Sequence, residues 1–426
     1  MLDIRRLRAE TESVKAALLK RGEEPAKVDA ILAIDTDRRR AVTESENLKA
    51  EQNRIGPQIA QRRKAGEDAA ELLARSTELK QELHAREEAL RTLDTLQDEM
   101  LSRLPNLPLE DVPPGGEDAA VPLGGVSRPL PTFDFEPKAH WDLLDSLHLA
   151  DFERGAKLSG SGFVVYTGAG ARLQRALTAF MLDRHAAAGY VEVGLPYMLS
   201  RESITASGHV VKFLPEMYHD AESDLFLVPT AEPALVNLHR DEILEAGTLP
   251  LRYVAHTPCW RREAGAAGKD TRGLQRIHQF EKVELFRYVE PDASDAALEE
   301  MTSEACGILD LLGIPWRLLK LAAGDIAFAA AKTYDVEAWS PGLGKWLEVS
   351  SASNCTDFQA RRASVRYRPE PGAKPAYCHL LNASGLALPR VVAALLETHQ
   401  RADGSVGVPE PLRPYLGGID HIAPPR

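Results

Sequence analysis

Cysteines and long apolar runs are both scarce in this sequence. Only four cysteines are scattered over 426 residues, and none lies in a Cys-x-x-Cys pair. A disulfide scaffold and a thiolate zinc site are therefore disfavoured, and a reducing compartment fits best. No segment approaches the roughly 18 uninterrupted apolar residues of a membrane span, and residues 1–6 contain no apolar signal region. These absences predict a cytoplasmic protein without zinc and without a membrane-spanning segment.

The composition is that of an ordinary globular protein. Hydrophobic residues make up 44% and charged residues 27% of the chain, which argues against general disorder. A chain of 426 residues is expected to form two or three domains. Its net charge is −12, so any binding of nucleic acid would depend on local basic patches.

Proline and glycine are rare in residues 1–104. Apolar residues in the second half of this region recur at heptad spacing, in one seam of Leu72, Leu79, Leu93 and Met100 and a partner seam of Leu83, Leu90 and Leu104. Such a repeat is typical of a coiled coil. The preceding stretch, 28–64, is also helical in pattern but weaker, and Gly66 between the two indicates a tight turn. The sequence thus predicts an antiparallel helical hairpin roughly 50 Å long.

Two clusters of basic residues lie on the predicted hairpin. The first is Arg38, Arg39 and Arg40, and the second, near the tip, is Arg62, Arg63 and Lys64. Solvated helix faces and contacts with a nucleic-acid backbone both fit such clusters. Periodicity alone does not choose between them.

The rest of the chain divides into a linker and a larger α+β region. Residues 105–137 are rich in proline and glycine and end the hairpin. From residue 138 to 426, extended segments are separated mostly by loops and not by regular crossover helices. This arrangement favours an antiparallel sheet over a doubly wound one.

The segment from residue 261 to 286 carries the strongest chemical signal. Arg261-Arg262-Glu263 precedes a long glycine-containing loop, and long loops of this kind are usually functional. On the strand that follows, alternation places Phe280, Lys282, Glu284 and Phe286 on one face. Aromatic and charged residues on one face suit the floor of a site for a heterocycle and a polar group. A structural salt-bridge ladder fits the segment equally well.

Three further segments add polar groups to the candidate site. Glu348 with Ser350 and Ser351 offers a carboxylate and hydroxyls that suit a hard cation, although a polar strand end explains them as well. A second segment, 382–385, leads into a helix whose first turn must contain Pro389 and Arg390, because proline breaks a helix interior. The third is Thr230-Ala231-Glu232. No Gly-x-x-x-x-Gly-Lys-Ser/Thr loop occurs, so ATP binding would rely on cationic side chains.

Taken together, these segments resemble the seryl-tRNA synthetases of the bacterial type, which are class II aminoacyl-tRNA synthetases. Residues 261–273 with 278–280 are similar to the family's motif 2, and residues 382–390 resemble motif 3. The helix ending near Gly189 and the strand reaching Pro196 resemble motif 1, which in this family forms the dimer interface. The resemblance covers essentially the whole chain. It implies an α+β fold, a class II antiparallel sheet flanked by helices, with an N-terminal coiled-coil hairpin.

The resemblance also implies an activity and partners. The expected reaction activates L-serine with ATP to seryl-adenylate and transfers serine to the 3′ end of tRNA(Ser). Charging of tRNA(Sec) is left open. The expected assembly is a homodimer with Mg²⁺ as the metal that accompanies ATP. The implied domains are a tRNA-binding arm, 1–104, a linker, 105–137, and a catalytic domain, 138–426. The alternative is a synthetase-like enzyme that aminoacylates a carrier protein, but such proteins typically lack the arm.

Roles for individual residues follow from the resemblance alone. Arg261 should bridge the serine carboxylate and the α-phosphate, and Arg390 should hold the γ-phosphate. Binding of ATP is also expected at Arg262, Glu263, Ile277, Phe280, Glu348, Val349, Ser350 and Ser351, with Glu348 and Ser351 holding Mg²⁺. Serine is expected to contact Thr230, Ala231, Glu232, Glu284, Asn382 and Ser384. Binding of tRNA is expected at the two basic clusters of the hairpin and at Lys269 and Arg272.

Overall fold

A computed structural model describes residues 1–264 and 272–425 of the chain. By their internal contacts these residues divide into two units, Met1–Pro105 and Asn106–Arg426. None of the described helices is both long enough and apolar enough to cross a membrane.

The first unit consists of two short and two long helices. They are α1, Ile4–Ala9, α2, Thr11–Lys20, α3, Ala26–Ala65, and α4, Ala70–Arg103. Helix α3 ends where Gly66 adopts a left-handed conformation with φ 74°, which a glycine allows at no steric cost. Helices α3 and α4 pack against each other as the predicted hairpin. The 40 residues of α3 span about 60 Å at about 1.5 Å per residue, somewhat more than the sequence suggested.

A buried carboxylate fixes the pairing of the hairpin helices. The side chain of Asp35 on α3 is 1% exposed, and it accepts a hydrogen bond of 3.1 Å from Nε2 of Gln97 on α4. Arg8 and Arg39 pair with the same carboxylate at 2.9 and 3.3 Å. Gln97 lies seven residues after Leu90 in the heptad seam, and it is buried, as is Leu104 one heptad later. A slip of the two helices would separate Gln97 from Asp35, so this polar pair favours one register.

The second unit contains the remaining helices and all the strands that the structure describes. Its helices are α5, His140–Ser146, α6, Phe152–Ser159, α7, Gly168–Ala187, α8, Arg201–Ser207, α9, Val210–Phe213, α10, Glu232–Val236, α11, Ser294–Leu311, α12, Phe358–Arg362, and α13, Leu388–Thr398. Short 3₁₀ turns lie at Glu117–Ala119, Leu214–Glu216, Pro291–Ala293 and Glu410–Leu416.

The strands form one large sheet and several small ones. They are β1, Val121–Leu123, β2, Ala150–Asp151, β3, Val165–Tyr166, β4, Val191–Glu192, β5, Met198–Ser200, β6, His219–Asp220, β7, Leu225–Leu227, β8, Ile243–Leu244, β9, Leu251–Trp260, β10, Gln279–Val289, β11, Trp316–Lys320, β12, Lys332–Ser340, β13, Lys345–Asn354, β14, Arg366–Tyr367, β15, Ala376–Tyr377, β16, His379–Ala387, β17, Val406–Gly407, and β18, His421–Ile422.

The large sheet has the strand order β1-β11-β12-β13-β16-β10-β9-β4. Neighbouring strands run antiparallel except β4, which pairs parallel with β9 at one edge. The predicted antiparallel sheet is therefore confirmed.

The two faces of strand β10 serve different purposes. Val283 and Leu285 point into the main apolar core, which contains residues of α7, α11 and α13. Phe286 and Tyr288 lie in a second, smaller core cluster. The side-chain alternation predicted for this strand is confirmed. On the face opposite Val283 and Leu285, the side chains of Phe280, Lys282 and Glu284 line a cleft.

Arg287 is a buried cation that joins three elements through its polar partners. Its side chain is 1% exposed, its Nε donates to the Tyr190 hydroxyl at 2.7 Å, and its terminal nitrogens pair with Glu300 at 2.6 Å and Glu304 at 2.8 Å. Tyr190 follows α7, the two glutamates lie on α11, and Arg287 itself is on β10. Removing a buried cation leaves partners without a counter-charge, which is more costly than losing a surface pair.

We expect Arg287→Leu to lower the free energy of unfolding of the second unit by about 3 kcal/mol. Urea titration followed by tryptophan fluorescence measures this free energy of unfolding. The signal reports on the second unit alone, because all five tryptophans lie beyond residue 105. The matched control is Arg252→Leu, which removes an arginine whose side chain is 31% exposed and which also pairs with Glu300, at 3.3 Å. That control should cost no more than about 1 kcal/mol. Equal losses in the two variants would contradict the special role of Arg287.

Candidate active site

Two adjoining cavities open against strands β10, β13 and β16 of the large sheet. They measure about 880 and 800 Å³ with the open solvent at their mouths. Arg261, Lys282, Glu348 and Ser384 line both of them. The two cavities are therefore parts of one cleft, with these side chains at the boundary.

The floor of the first cavity holds three interlinked polar side chains. Lys282 Nζ donates to Thr230 Oγ1 at 2.7 Å, and Thr230 Oγ1 donates to Glu284 Oε2 at 3.1 Å. Lys282 also pairs directly with Glu284. Burial raises the pKa of Glu284, and the charge of Lys282 opposes that rise. A carboxylate has more acceptor sites than these two donors use, so Glu284 can still accept from a hydroxyl.

A second carboxylate, Glu232, lies in the same cavity among neutral partners. Gln359 Nε2 donates to Glu232 Oε1 at 2.7 Å, and His209 Nε2 lies 3.7 Å from Glu232 Oε2. Burial raises the pKa of Glu232. Burial, with the nearby charges of Lys282 and Arg261, lowers the pKa of His209 to about 3. His209 is thus a neutral imidazole near pH 7, and Glu232 remains available to an incoming cation.

The rest of the first cavity has one polar side and one apolar side. Asn382, Ser384 and Ser353 add hydrogen-bonding groups from β16 and β13. Phe213 and Phe328 add aromatic walls. Two carboxylates, hydroxyls and a narrow apolar wall suit a small molecule with an ammonium and a hydroxyl group.

A β-bulge brings Ser384 opposite Glu284. Val283 pairs with Leu386, but Glu284 pairs with Ser384, so Gly385 is the extra residue on β16. In a regular ladder Gly385 would face Glu284 and the serine hydroxyl would lie elsewhere. Gly385 also has little room for a side chain, since an added Cβ would lie 3.1 Å from Nε2 of His185.

A second bulge acts in the same way on β13. Asp335 pairs with Ser351, Val336 with Ser350 and Glu337 with Glu348, which leaves Val349 as the extra residue. Glu348 and Ser351 are three residues apart and would point to opposite faces of a regular strand. The bulge returns both to the cleft, and both line the first cavity.

The second cavity lies beside Arg261 and Phe280. The guanidinium carbon of Arg261 is 5.2 Å from the centre of the Phe280 ring, and Arg261 Nε donates to the Pro229 carbonyl at 3.3 Å. Glu263 has the unusual φ of 49° and accepts from Arg276 Nη1 at 3.2 Å. Strained backbone of this kind often occurs at functional sites.

Arg390 enters the second cavity from the opposite side. It lies in the first turn of α13, directly after Pro389. Its Nη1 donates to the Glu348 carbonyl at 2.8 Å and to Glu348 Oε2 at 3.2 Å, and its Nε donates to the Gln275 carbonyl at 3.4 Å. Arg261 and Arg390, far apart in sequence, thus line one cavity, where their positive charges suit a polyphosphate.

Oxygen atoms suited to a hard cation lie between the two cavities. Glu348 and Ser351 line the cleft, and Ser351 hydrogen-bonds to the carboxylate of Asp335 on the neighbouring strand. Asp335 Oδ1 is buried without a hydrogen-bond partner. Burial, and next the charge of Glu348, raise the pKa of Asp335 to about 8. Within the described residues, no three His, Cys, Asp or Glu side chains form a group that could hold a metal ion.

Most of the residues predicted for the site meet in this cleft. Of those expected to bind serine, the first cavity contains Thr230, Glu232, Arg261, Glu284, Asn382 and Ser384. Of those expected to bind ATP, the second cavity contains Arg261, Glu263, Ile277, Phe280, Glu348, Val349, Ser350 and Arg390. Ser351 lies in the first cavity.

Other predicted residues lie elsewhere. The side chain of Ala231 is buried in the second core cluster, and Arg262 lines neither cavity but donates its backbone N–H to the Glu216 carbonyl at 2.8 Å. The guanidinium of Arg272 lies 4.5 Å from the Trp141 ring. Lys269 lies outside the described residues.

The two basic clusters of the hairpin differ in their surroundings. Arg38 pairs with Asp94, Arg39 with the buried Asp35 and Arg40 with Asp37. At the tip, Arg62 Nη1 donates to the Asp68 carbonyl at 3.2 Å. Arg63 and Lys64 are exposed, and they form no ion pair with any residue that the structure describes.

Several residues of the cleft had no predicted role. Lys282 stood out on the polar face of its strand, but only the structure reveals its bonds to Thr230 and Glu284. His209, Gln359 and Asp335 come from segments with no recognisable motif. Their polar side chains become informative only when the fold buries them.

Comparison with known proteins identifies both parts of the chain. The family described as "tRNA synthetase class II core domain (G, H, P, S and T)" matches residues 213–399. The family described as "Seryl-tRNA synthetase N-terminal domain" matches residues 1–108.

Relatives that match this chain over their full length are serine–tRNA ligases, also called seryl-tRNA synthetases. A serine–tRNA ligase of a Roseiflexus species is 50% identical over 99% of each chain. One from Geobacillus kaustophilus is 48% identical over 99% of this chain and all of its own. The crystal structure of the seryl-tRNA synthetase of Pyrococcus horikoshii, complexed with ATP, superposes with a TM-score of 0.96 at 40% identity over both whole chains. The chain belongs to the seryl-tRNA synthetase family.

Proposed function

We propose that this chain activates L-serine with ATP to form seryl-adenylate and then transfers the seryl group to the 3′ end of tRNA(Ser). Family membership makes it a serine–tRNA ligase. The observation that carries the site assignment is the sharing of Arg261 between two joined cavities, since the first step needs an amino acid and a nucleotide side by side. The carrier-protein alternative is not favoured, because residues 1–108 match a seryl-tRNA synthetase N-terminal domain.

The first step requires positioning and charge neutralisation more than covalent help from the protein. The serine carboxylate attacks the α-phosphorus in line, and pyrophosphate leaves. Arg261 lies at the boundary of the two cavities, so its guanidinium can hold the carboxylate and the α-phosphate at once. Arg390, at the far side of the second cavity, neutralises the γ-phosphate.

Serine is recognised by groups that match its two polar ends. The substrate ammonium pairs with Glu232, whose present partners are neutral, and approaches Thr230, with Asn382 nearby. The hydroxyl donates to Glu284 and contacts Ser384, which the bulge sets opposite. Ala231 contributes through its backbone only, because its side chain is buried in the core.

ATP occupies the second cavity. Its adenine stacks on Phe280, its amino group donates to Glu263, and the backbone at Ile277 borders the base. Val349 and Ser350 line the same cavity from β13. Arg262 does not line the cavity, but it supports this site as part of the segment after β9, between Arg261 and Glu263.

An ATP-using class II synthetase requires a divalent metal, and Mg²⁺ is the ion that we assign. Glu348 and Ser351 would hold it, since both supply hard oxygen donors and both face the cleft. The unpartnered Oδ1 of Asp335 beside them fits a nearby cation. When bound, Mg²⁺ would neutralise negative charge on the phosphates.

The remaining assignments concern the whole molecule. Residues 1–104 act as the tRNA-binding arm, 105–137 as linker and 138–426 as catalytic domain in a cytoplasmic homodimer. Double-helical RNA is usually read by shape and phosphate contacts. Arg63 and Lys64 are free to make such contacts, whereas Arg38, Arg39 and Arg40 must first exchange intramolecular partners. Arg62, Lys269 and Arg272 complete the proposed tRNA-binding set.

Exchange of labelled pyrophosphate into ATP, measured with each amino acid in turn, tests the activity and its specificity. We expect serine to support exchange and alanine to be discriminated against by roughly 10⁴–10⁵, because alanine leaves the buried Glu284 without its hydroxyl partner. Threonine adds only a methyl group, which pocket shape rejects by about 10–200-fold. Exchange with alanine at the rate seen with serine would refute the role of Glu284.

For Arg390→Ala we expect the rate of serine-dependent exchange to fall by about 10²–10³-fold, because one preorganised charge is lost from the phosphate site. The control is Arg368→Ala, since this half-buried arginine donates to the Ala373 carbonyl at 2.7 Å outside both cavities. Its exchange rate should match the unmodified enzyme. A normal rate in Arg390→Ala would remove this residue from the site.

For the double variant Arg63→Ala with Lys64→Ala we expect a several-fold higher KM for tRNA(Ser) in charging and unchanged pyrophosphate exchange. The slope of log KM against log salt should fall by about 1–2, as for the loss of one or two phosphate contacts. Lys80→Ala with Arg91→Ala removes the same charge from exposed positions of α4 and serves as the control. Equal effects of the two double variants would show that only total charge matters.

A further inference from the structure

We propose that His140, oriented by Glu397, is a positioning residue for the ATP cavity. Through one hydrogen bond it holds the segment Leu274–Ile277, whose residues line that cavity. The inference rests on the proposed function, since it concerns the binding of ATP. Neither His140 nor Glu397 lies in the cleft itself.

The contact between α5 and this segment is close and specific. The backbone N–H of Leu274 donates to Nε2 of His140 at 3.1 Å, and the His140 side chain is 0% exposed. The preceding residue, Gly273, has φ 71°, and a Cβ added there would lie 2.3 Å from His140 Nε2. The Arg272 guanidinium covers the Trp141 ring, the next residue of α5. Three consecutive residues therefore pack on the first turn of α5.

Hydrogen bonding from Glu397 determines which nitrogen of His140 accepts. Glu397 is fully buried, and its Oε1 accepts from the His140 backbone N–H at 2.8 Å and faces His140 Nδ1 at 2.8 Å. Its Oε2 accepts from Gly342 N–H at 2.9 Å and from the Ser340 hydroxyl. A carboxylate only accepts, so Nδ1 must donate to it. In the neutral imidazole Nε2 is then the acceptor, which is what the Leu274 N–H requires.

The same helix holds the segment from two directions. Glu397 and Arg390 both belong to α13, one near each end. Arg390 Nε donates to the Gln275 carbonyl at 3.4 Å, while Glu397 acts on Leu274 through His140. Arg276, between Gln275 and Ile277, pairs with Glu263, the residue assigned to adenine. Release of Leu274 would therefore disturb Gln275 and Arg276 in the ATP cavity, with no direct connection to the floor of the serine cavity.

Two substitutions of His140 separate this role from simple support of the core. In His140→Asn, the amide nitrogen can still donate to Glu397, but no atom reaches the Leu274 N–H. We expect the KM for ATP in serine-dependent exchange to rise about 5- to 30-fold, because a buried N–H loses its partner, with the KM for serine changed by less than about twofold. In His140→Gln, the longer side chain can accept from Leu274, so the KM for ATP should recover most of this loss.

A pair of glycine substitutions tests the same contact without replacing any residue of the buried network. Gly273→Ala places a methyl group against His140 and should raise the KM for ATP by about the same factor as His140→Asn. The matched control is Gly372→Ala. Gly372 also has a positive φ, 79°, but nothing lies within 4 Å of an added Cβ. This control should leave both KM values unchanged, and the glycine pair decides the matter if the His140 variants do not fold.

Calorimetric titration of each variant with ATP and with serine separately completes the test. Weaker ATP binding with normal serine binding in His140→Asn and Gly273→Ala supports the inference. Parallel loss of both affinities, or loss of neither, overturns it while leaving the proposed function intact. If the unmodified protein showed no serine-dependent exchange and bound no ATP, the proposed function would fail and this inference with it.

Discussion

Lys282, Glu284 and Thr230 form a closed set of hydrogen bonds beneath the cleft, and the chemistry of the site depends on it. Two opposite charges are buried together here, each almost without exposure. Neither would be stable alone, because an unpaired charge is costly to remove from water. Paired, they present a carboxylate that is held in place before any substrate arrives. In the proposed function, this carboxylate recognises the serine hydroxyl without reorganisation of the protein.

The strands beneath the cleft contribute side chains both to the core and to the site. Strands alternate their side chains with a period of two, so core residues and site residues share each strand. Val283 and Leu285 fill the core while Lys282 and Glu284 line the cleft. Two bulges change that alternation where the site needs it, one at Gly385 and one at Val349. Each bulge brings a polar side chain into the cleft that a regular strand would have pointed away.

The sequence predicted the fold well where a repeating physical pattern was present. Heptad leucines indicated the hairpin, and alternation on residues 279–289 indicated the strand and its two faces. The candidate site was predicted largely through motifs, and Arg261, Glu284 and Arg390 do meet in one cleft. Asp335, Gln359 and His209 could not be predicted in this way. Their importance comes from burial beside charges that are distant in sequence, and neither burial nor proximity is encoded in a local pattern.

Glu348 is a residue whose role was expected from family resemblance although the local sequence pattern argued against it. Its pairing with Ser351 followed from family resemblance, although a spacing of three residues argues against a shared face in a regular strand. The bulge at Val349 removes that objection, but a bulge has no clear signature in these residues.

Arg390 bonds to both the carbonyl and the carboxylate of Glu348. The guanidinium of Arg390, in the second cavity, and the carboxylate of Glu348, which lines both cavities, hold each other. In the proposed function Arg390 would hold phosphate, and Glu348 would hold Mg²⁺. The ion pair would thus orient both groups before either takes up its proposed role.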